Sequence, residues 1–132
     1  CCLFSAKIFT VCASSSLASP RSCVTHTTAL PRAWAVTKRA ARAFAVEHAC
    51  CLVLKGHRTI TAFPDGSAYI NTNGNPGMAK GGSGDVLAGL ILSLLGQGLP
   101  ARQAVPMAVW LHGEAGEVCA RAIGEYGMTQ PT

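Results

Sequence analysis

Apolar and polar positions repeat with two different periods along the chain, and each change of period marks an element. The segment TKRAARAFAVEHA (37–49) sets Ala40, Phe44 and His48 at i, i+4 spacing, which predicts a helix with one apolar stripe and Thr37 as its N-cap. CCLVLK (50–55) is a short continuous apolar run, the pattern of a buried strand of the kind found inside a parallel sheet. TITAF (59–63) alternates, Pro64-Asp65-Gly66-Ser67 supplies turn chemistry, and AYIN (68–71) resumes the extended pattern, which predicts a β-hairpin. The stretch NTNGNPGMAKGGSG (71–84) holds five glycines, three asparagines and a proline. It predicts a loop whose backbone needs unusual dihedrals or close approach by a ligand. DVLAGLILSLLGQG follows, where Val86, Leu87, Leu90, Ile91, Leu94 and Leu95 mark a core-packed helix stopped by Gly96 and Gly98. A last helix is expected from about Ala101 to Ala122, with Val105, Ala108, Val109, His112 and Gly116 on one face. A helix followed by a buried strand suggests an α/β layered chain.

Composition narrows this picture. The chain has 132 residues, 49% hydrophobic and 13% charged, enough apolar material for one domain's core and too much for a disordered chain. Its longest weakly polar stretch, Val86 to Leu99, spans 14 residues, short of the ~20 that a transmembrane helix needs. All 14 glycines lie at or after Gly56, and the first acidic residue is Glu47. The net charge of +5 therefore belongs to the first third, where nothing basic repeats along a helix or interleaves with aromatics. No nucleic-acid or membrane partner is expected. Seven cysteines form no CxxC pair, so neither a disulfide framework nor a zinc site is indicated. Cys50 and Cys51 read as small buried hydrophobes in a protein of a reducing compartment. The chain begins with Cys rather than Met, and residues 1–31 are rich in Ser, Thr and Cys without Gly, Asp or Glu. This segment is expected to be a non-native or truncated leader, with an organelle transit peptide as the alternative.

The chemistry concentrates at Gly81-Gly82-Ser83-Gly84-Asp85, at the start of a buried helix. A helix's first turn offers unpaired N–H groups and the positive end of its dipole, and glycines let the backbone approach a phosphate. Such a nest stabilises charge on a phosphoryl group in transfer. Asp85 would be repelled by that phosphate unless a substrate hydroxyl lay between them, so it reads as the base that takes the hydroxyl's proton. The alternative is that Asp85 merely caps a helix after a flexible linker. No Gly-Lys-Ser/Thr follows, so this is no Walker A loop. A second cluster, Lys55-Gly56-His57-Arg58-Thr59, ends the buried strand, where open α/β sheets place ligands. Lys55 or Arg58 could neutralise phosphate and Thr59 could donate a hydrogen bond, against the alternative of a solvated basic turn. Lys80 is equally a phosphate contact or an exposed loop lysine. His112 reads as a satisfied core histidine, and Trp34 and Trp110 as packing residues.

LKGHRT (54–59), PDGSAYIN (64–71), GNPGMAKGGSGDVLAGLILSLLGQGL (74–99) and AVWLHGEAGEVCA (108–120), taken in order, resemble the C-terminal half of the ADP/ATP-dependent NAD(P)H-hydrate dehydratases. The resemblance covers about residues 32–128. It implies a ribokinase-like three-layer αβα sandwich represented by its C-terminal half, with residues 32–132 as a partial dehydratase domain. It also implies a hydro-lyase that restores hydrated NADH or NADPH at the expense of ADP or ATP, with Mg2+ accompanying the nucleotide and no protein-bound metal. Lys55, Gly56, His57, Arg58 and Thr59 would contact the adenine nucleotide, and Gly82, Ser83 and Gly84 its phosphates. Asp85 would be catalytic and, with Asn75, would meet the hydrated nicotinamide. A cytoplasmic location is expected, and homo-oligomerisation is left open. Hydroxyethylthiazole kinase and related small-molecule kinases share the GxGD anion hole and are the alternative enzyme reading. A nucleotide-binding fragment without turnover is the non-enzymatic one. The chain departs from the family in lacking the half that supplies several strands. Val24-Thr25-His26-Thr27 lacks the Pro and Glu of a TPHPxE segment, and Gly127-Met128-Thr129 is followed by Gln130 rather than Asp.

Overall fold

Cys51–Lys55 (β3) is the middle strand of a five-stranded sheet, in a computed structural model that describes residues 6–11, 27–29 and 34–128. The sheet order is β2-β1-β3-β4-β5, with β1 at Ala6–Val11, β2 at Thr27–Ala29, β4 at Ile60–Ala62 and β5 at Ala68–Ile70. Every pairing in it is antiparallel, with Leu54 opposite Ile8 on one side and Ile60 on the other. The parallel environment expected for CCLVLK is corrected. Cys51, Leu52 and Val53 are buried in succession because both faces of the strand are covered, and an apolar run reports coverage rather than direction. Direction comes from the turn chemistry that returns the chain through β4 and β5.

That hairpin forms as predicted. Asp65 Oδ1 accepts from Ser67 N at 2.9 Å and from Ser67 Oγ at 2.5 Å, and Gly66 takes φ +79°. Phe63 N donates to Ser67 O at 2.9 Å and closes the turn. Helix α1 runs Trp34–Glu47, so it starts three residues before the expected Thr37 cap. Its buried positions are Ala41 and Ala45, not Ala40 and Phe44, and they join Leu52 and Ala62 in the core of this unit. Phe44 stays 41% exposed and stacks on His48, with ring centroids 4.1 Å apart. The smallest side chains face the sheet because they let the helix lie close to it, which a periodicity count that weights Phe above Ala reverses. The helix ends with Cys50 N bonded to Ala45 O at 3.1 Å and with Ala49 in the left-handed region at φ +48°. Arg42 Nε donates to Gly66 O at 2.6 Å, tying α1 to the hairpin turn.

The chain divides into two compact units, Cys1–Ile70 and Asn71–Thr132. The second unit holds a one-turn 3-10 helix at Pro76–Met78 and two helices, α2 at Ser83–Gly96 and α3 at Ala101–Ile123, which pack on each other. Helix α2 buries Leu87 and Ile91. Gly96 belongs to the helix. The stop is made by Gly98 at φ +88°, which lets Leu99 N reach Leu94 O at 3.3 Å. The face expected on α3 is buried in full, at Val105, Ala108, Val109, His112 and Gly116, with Ala104 and Gly113 added. Trp110, expected to pack, is 47% exposed. Cys50 and Cys51 are buried, as expected, and Cys119 is exposed. Cys1, Cys2, Cys12, Cys23 and His26 lie outside the described residues, as does the side chain of Trp34. Among the described residues no helix is long and apolar enough to cross a membrane.

Candidate functional site

Helix α2 begins without a side-chain cap. Its N-cap is Gly82, in the left-handed region at φ +82°, ψ −27°, a conformation that a side chain would strain. The carbonyl of Gly82 accepts two first-turn donors, Asp85 N at 2.9 Å and Val86 N at 3.1 Å. Gly84 sits one step earlier, where the helix ladder offers its N–H no acceptor. Ser83 and Gly84 are buried, and Asp85 stands exposed beside them in the first turn. Gly81 is exposed, and nothing lies within 4 Å of where its side chain would be. The run from Gly81 to Asp85 thus forms one continuous helix start with a carboxylate at its edge.

Ser83 is held from the other helix of this unit. Its Oγ lies 3.3 Å from His112 Nε2, and both residues are buried. The expectation for His112, a core histidine with a polar partner, matches this placement.

The loop before the helix is fastened to α3 by its asparagines. Asn71 Nδ2 donates to Val109 O at 3.4 Å and to Asn73 Oδ1 at 2.6 Å. Asn73 Nδ2 donates to Trp110 O at 3.1 Å, Asn75 Nδ2 to Gly116 O at 2.8 Å, and Gly74 N to Glu117 Oε1 at 3.0 Å. Two helix glycines make room for this. A Cβ on Gly113 would collide with the Asn73 amide, and one on Gly116 with Met78 Sδ. The other end of the loop is tied down by Lys80, whose Nζ donates to Tyr126 O at 3.0 Å. Sequence reasoning placed Gly116 on the inner face of α3 but missed the roles of Asn71, Asn73, Gly113 and Glu117. The signals were present: amides at alternate positions of an extended segment share one side, and Gly113-x-x-Gly116 interrupts a helix for no propensity reason.

Asn75 was expected to face substrate. Its amide nitrogen is committed to α3, and its Oδ1 is buried with no partner among the described residues. The Lys55–Thr59 cluster forms the turn that leaves β3, in the first unit, whereas Gly82–Asp85 belong to the second. Lys55 is half-buried, His57 and Arg58 are exposed, and Arg58 takes φ +57°. Thr59 Oγ1 donates to Gly56 O at 3.2 Å and lies 3.4 Å from Gly56 N. A hydroxyl has one proton, so Thr59 donates to a ligand only by releasing Gly56.

A glycine-framed helix start with an aspartate in its first turn, on an α/β chain, defines a class of fold rather than one protein. Solved structures agree on that class. The ADP/ATP-dependent NAD(P)H-hydrate dehydratase from Bacillus subtilis, co-crystallised with ATP/Mg2+, superposes with a TM-score of 0.68 at 36% identity, covering 70% of this chain and 34% of that one. The chain therefore has the ribokinase-like α/β fold. Among curated proteins, 81 residues are 54% identical to the bifunctional NAD(P)H-hydrate repair enzyme Nnr of Thermofilum pendens, covering 61% of this chain and 16% of that protein. A further 73 residues' alignment is 51% identical to the ADP-dependent (S)-NAD(P)H-hydrate dehydratase of Neisseria meningitidis, covering 55% of this chain and 25% of that protein. The NAD(P)H-hydrate dehydratase family model matches residues 33–132, and the chain belongs to that family. It spans a quarter or less of the length of these two curated relatives.

Proposed function

We propose that the chain carries the nucleotide-phosphate and proton-transfer part of an NAD(P)H-hydrate dehydratase, a hydro-lyase that uses ADP or ATP as co-substrate. The observation that carries this reading is the start of α2, where the glycine N-cap Gly82 folds two donors onto its own carbonyl and Asp85 is exposed beside them in the first turn.

In this reading the amides of Gly82, Ser83 and Gly84 hold the nucleotide's terminal phosphate. The Lys55–Thr59 turn, on the first unit, is assigned as an adenine-nucleotide contact on the strength of the family resemblance alone. Asp85 takes the proton of the hydrated ring's hydroxyl, whose oxygen attacks the terminal phosphorus, and AMP leaves when ADP is the donor. The phosphorylated oxygen is a better leaving group than hydroxide. Its loss as phosphate, with the adjacent ring C–H giving up its proton, restores the dihydropyridine. Asn75 Oδ1, buried without a donor, is the acceptor available to a substrate donor on the loop side. Mg2+ would accompany the nucleotide's phosphates, as in the Bacillus subtilis relative co-crystallised with ATP/Mg2+. An exposed Cys119 thiol is consistent with a reducing, cytoplasmic setting.

One observation favours a second reading, nucleotide binding without turnover: the Asn75 amide nitrogen, expected to meet the hydrate, is committed to Gly116 O. One experiment separates them: the chain is incubated with hydrated NADH and either ADP or ATP while the NADH absorbance band is followed. Return of the band with release of phosphate supports the dehydratase. Nucleotide binding with a flat trace supports the binding-only reading. Consumption of nucleotide with a thiazole or pyrimidine alcohol, and not with hydrated NADH, overturns both in favour of a kinase.

A further inference from the structure

The segment Gly81–Gly84 contains three glycines and one side chain, that of Ser83. Glycine backbone has the widest conformational range of any residue, and the N-cap Gly82 has no side chain with which to fix the first turn. Apart from the two first-turn bonds to Gly82 O, the side chain within Gly81–Gly84 able to fix the geometry of this turn is that of Ser83. The one handle in the run is Ser83, and it is gripped from a helix 29 residues away, by His112 Nε2 at 3.3 Å. Ser83 is 1% exposed and His112 7%, so water does not compete for this bond. His112 touches neither nucleotide nor hydrate in the reading above.

We propose that His112 is a positioning residue: it sets the geometry of the Gly82–Asp85 turn by holding Ser83. The consequence for nucleotide binding rests on the proposed function, whereas the coupling between His112 and the turn does not. The hydrogen bonds of Asp85 N and Val86 N to Gly82 O close the turn, so their opening reports on its geometry directly. With Leu at position 112 the buried volume is kept and the bond is lost. With Gln an amide remains that reaches Ser83.

The test is made on the full chain carrying His112→Leu, His112→Gln, Ser83→Ala, and the His112→Leu/Ser83→Ala pair. In His112→Leu, amide hydrogen exchange at Asp85 and Val86 is expected to quicken about tenfold while that at Val109 in α3 is unchanged. His112→Gln should return most of the protection, and Ser83→Ala should match His112→Leu with no further effect in the double variant. ADP affinity is expected to fall about five- to tenfold in His112→Leu and to recover in His112→Gln. Exchange that quickens equally along α3, or that fails to change at Asp85 and Val86, overturns the proposal and leaves His112 as core packing. Additive effects in the double variant overturn it as well. Should His112→Leu not fold, Ser83→Ala and His112→Gln decide the matter by the same comparison. A wild-type chain that binds no ADP sinks the proposed function, while the exchange pattern still decides the coupling.

Discussion

In the proposed function, Asp85 is the residue on which the chemistry turns. A carboxylate in the first turn of α2 is favoured by the helix dipole, yet it stands next to the place assigned to a phosphate. Asp85→Asn keeps the shape and removes both the base and the repulsion. Turnover should fall by about 10²- to 10⁴-fold, the usual contribution of a positioned general base, while ADP affinity stays level or improves. Steady-state kinetics beside an ADP titration checks both halves, and unchanged turnover removes Asp85 from the mechanism. Ala49 poses a different question at the same scale. It ends α1 in the left-handed region without being glycine. That conformation costs an L-residue about 1–2 kcal/mol, against about 0.4–1 kcal/mol for the greater freedom of an unfolded glycine. Ala49→Gly should therefore stabilise the chain by several tenths of a kcal/mol, read as a higher urea midpoint.

At the scale of elements, α2 and α3 use glycine in opposite ways. Gly89 lies inside α2 with open space where its Cβ would be. Helix propensity alone then applies, and Gly89→Ala should stabilise by about 1 kcal/mol. Gly113 lies inside α3, where a Cβ would enter the Asn73 amide and approach Asn71 Nδ2. The same substitution there displaces hydrogen-bonded groups, and overpacking of about 1–3 kcal/mol outweighs the propensity gain. Gly113→Ala is thus expected to destabilise, and equilibrium unfolding of the two variants side by side tests the difference in sign. The period-3.6 signal located both helices, and it named the buried face of α3 correctly, at Val105, Ala108, Val109, His112 and Gly116. It misplaced the stripe of α1, where Ala41 and Ala45 are inside and Phe44 is outside. The asparagine fastening of the loop was invisible to periodicity because it joins positions about 40 residues apart.

At the scale of the molecule, the chain is two compact units, with the KGHRT turn in one and the GGSGD helix start in the other. It aligns with about a third of a solved relative. A ligand that binds the folded chain and not the unfolded one stabilises it by mass action, about 2.7 kcal/mol at a hundred times its dissociation constant. ADP at that excess should raise the melting temperature, and should do so at least as much in Asp85→Asn, where the repulsion of the phosphate is removed. A melting curve unmoved by ADP at millimolar concentration speaks against nucleotide binding by the chain. The sheet is where whole-molecule structure departed most from expectation. An apolar run such as Cys51–Val53 is the same string whether its neighbours run parallel or antiparallel.

What the amino-acid string determined by itself was local: a hairpin dictated by Pro64-Asp65-Gly66-Ser67, two helices dictated by their periodicity, and a glycine-framed helix start. These follow from backbone dihedrals and near-neighbour contacts, which a few consecutive residues settle. The pairing of β3 with β1, the choice of Ala41 and Ala45 as the inner face of α1, the asparagines hung on α3 and the His112–Ser83 bond were decided by tertiary structure alone. Each depends on which distant segment arrives at a given surface, and that is a property of the packed chain rather than of any window along it.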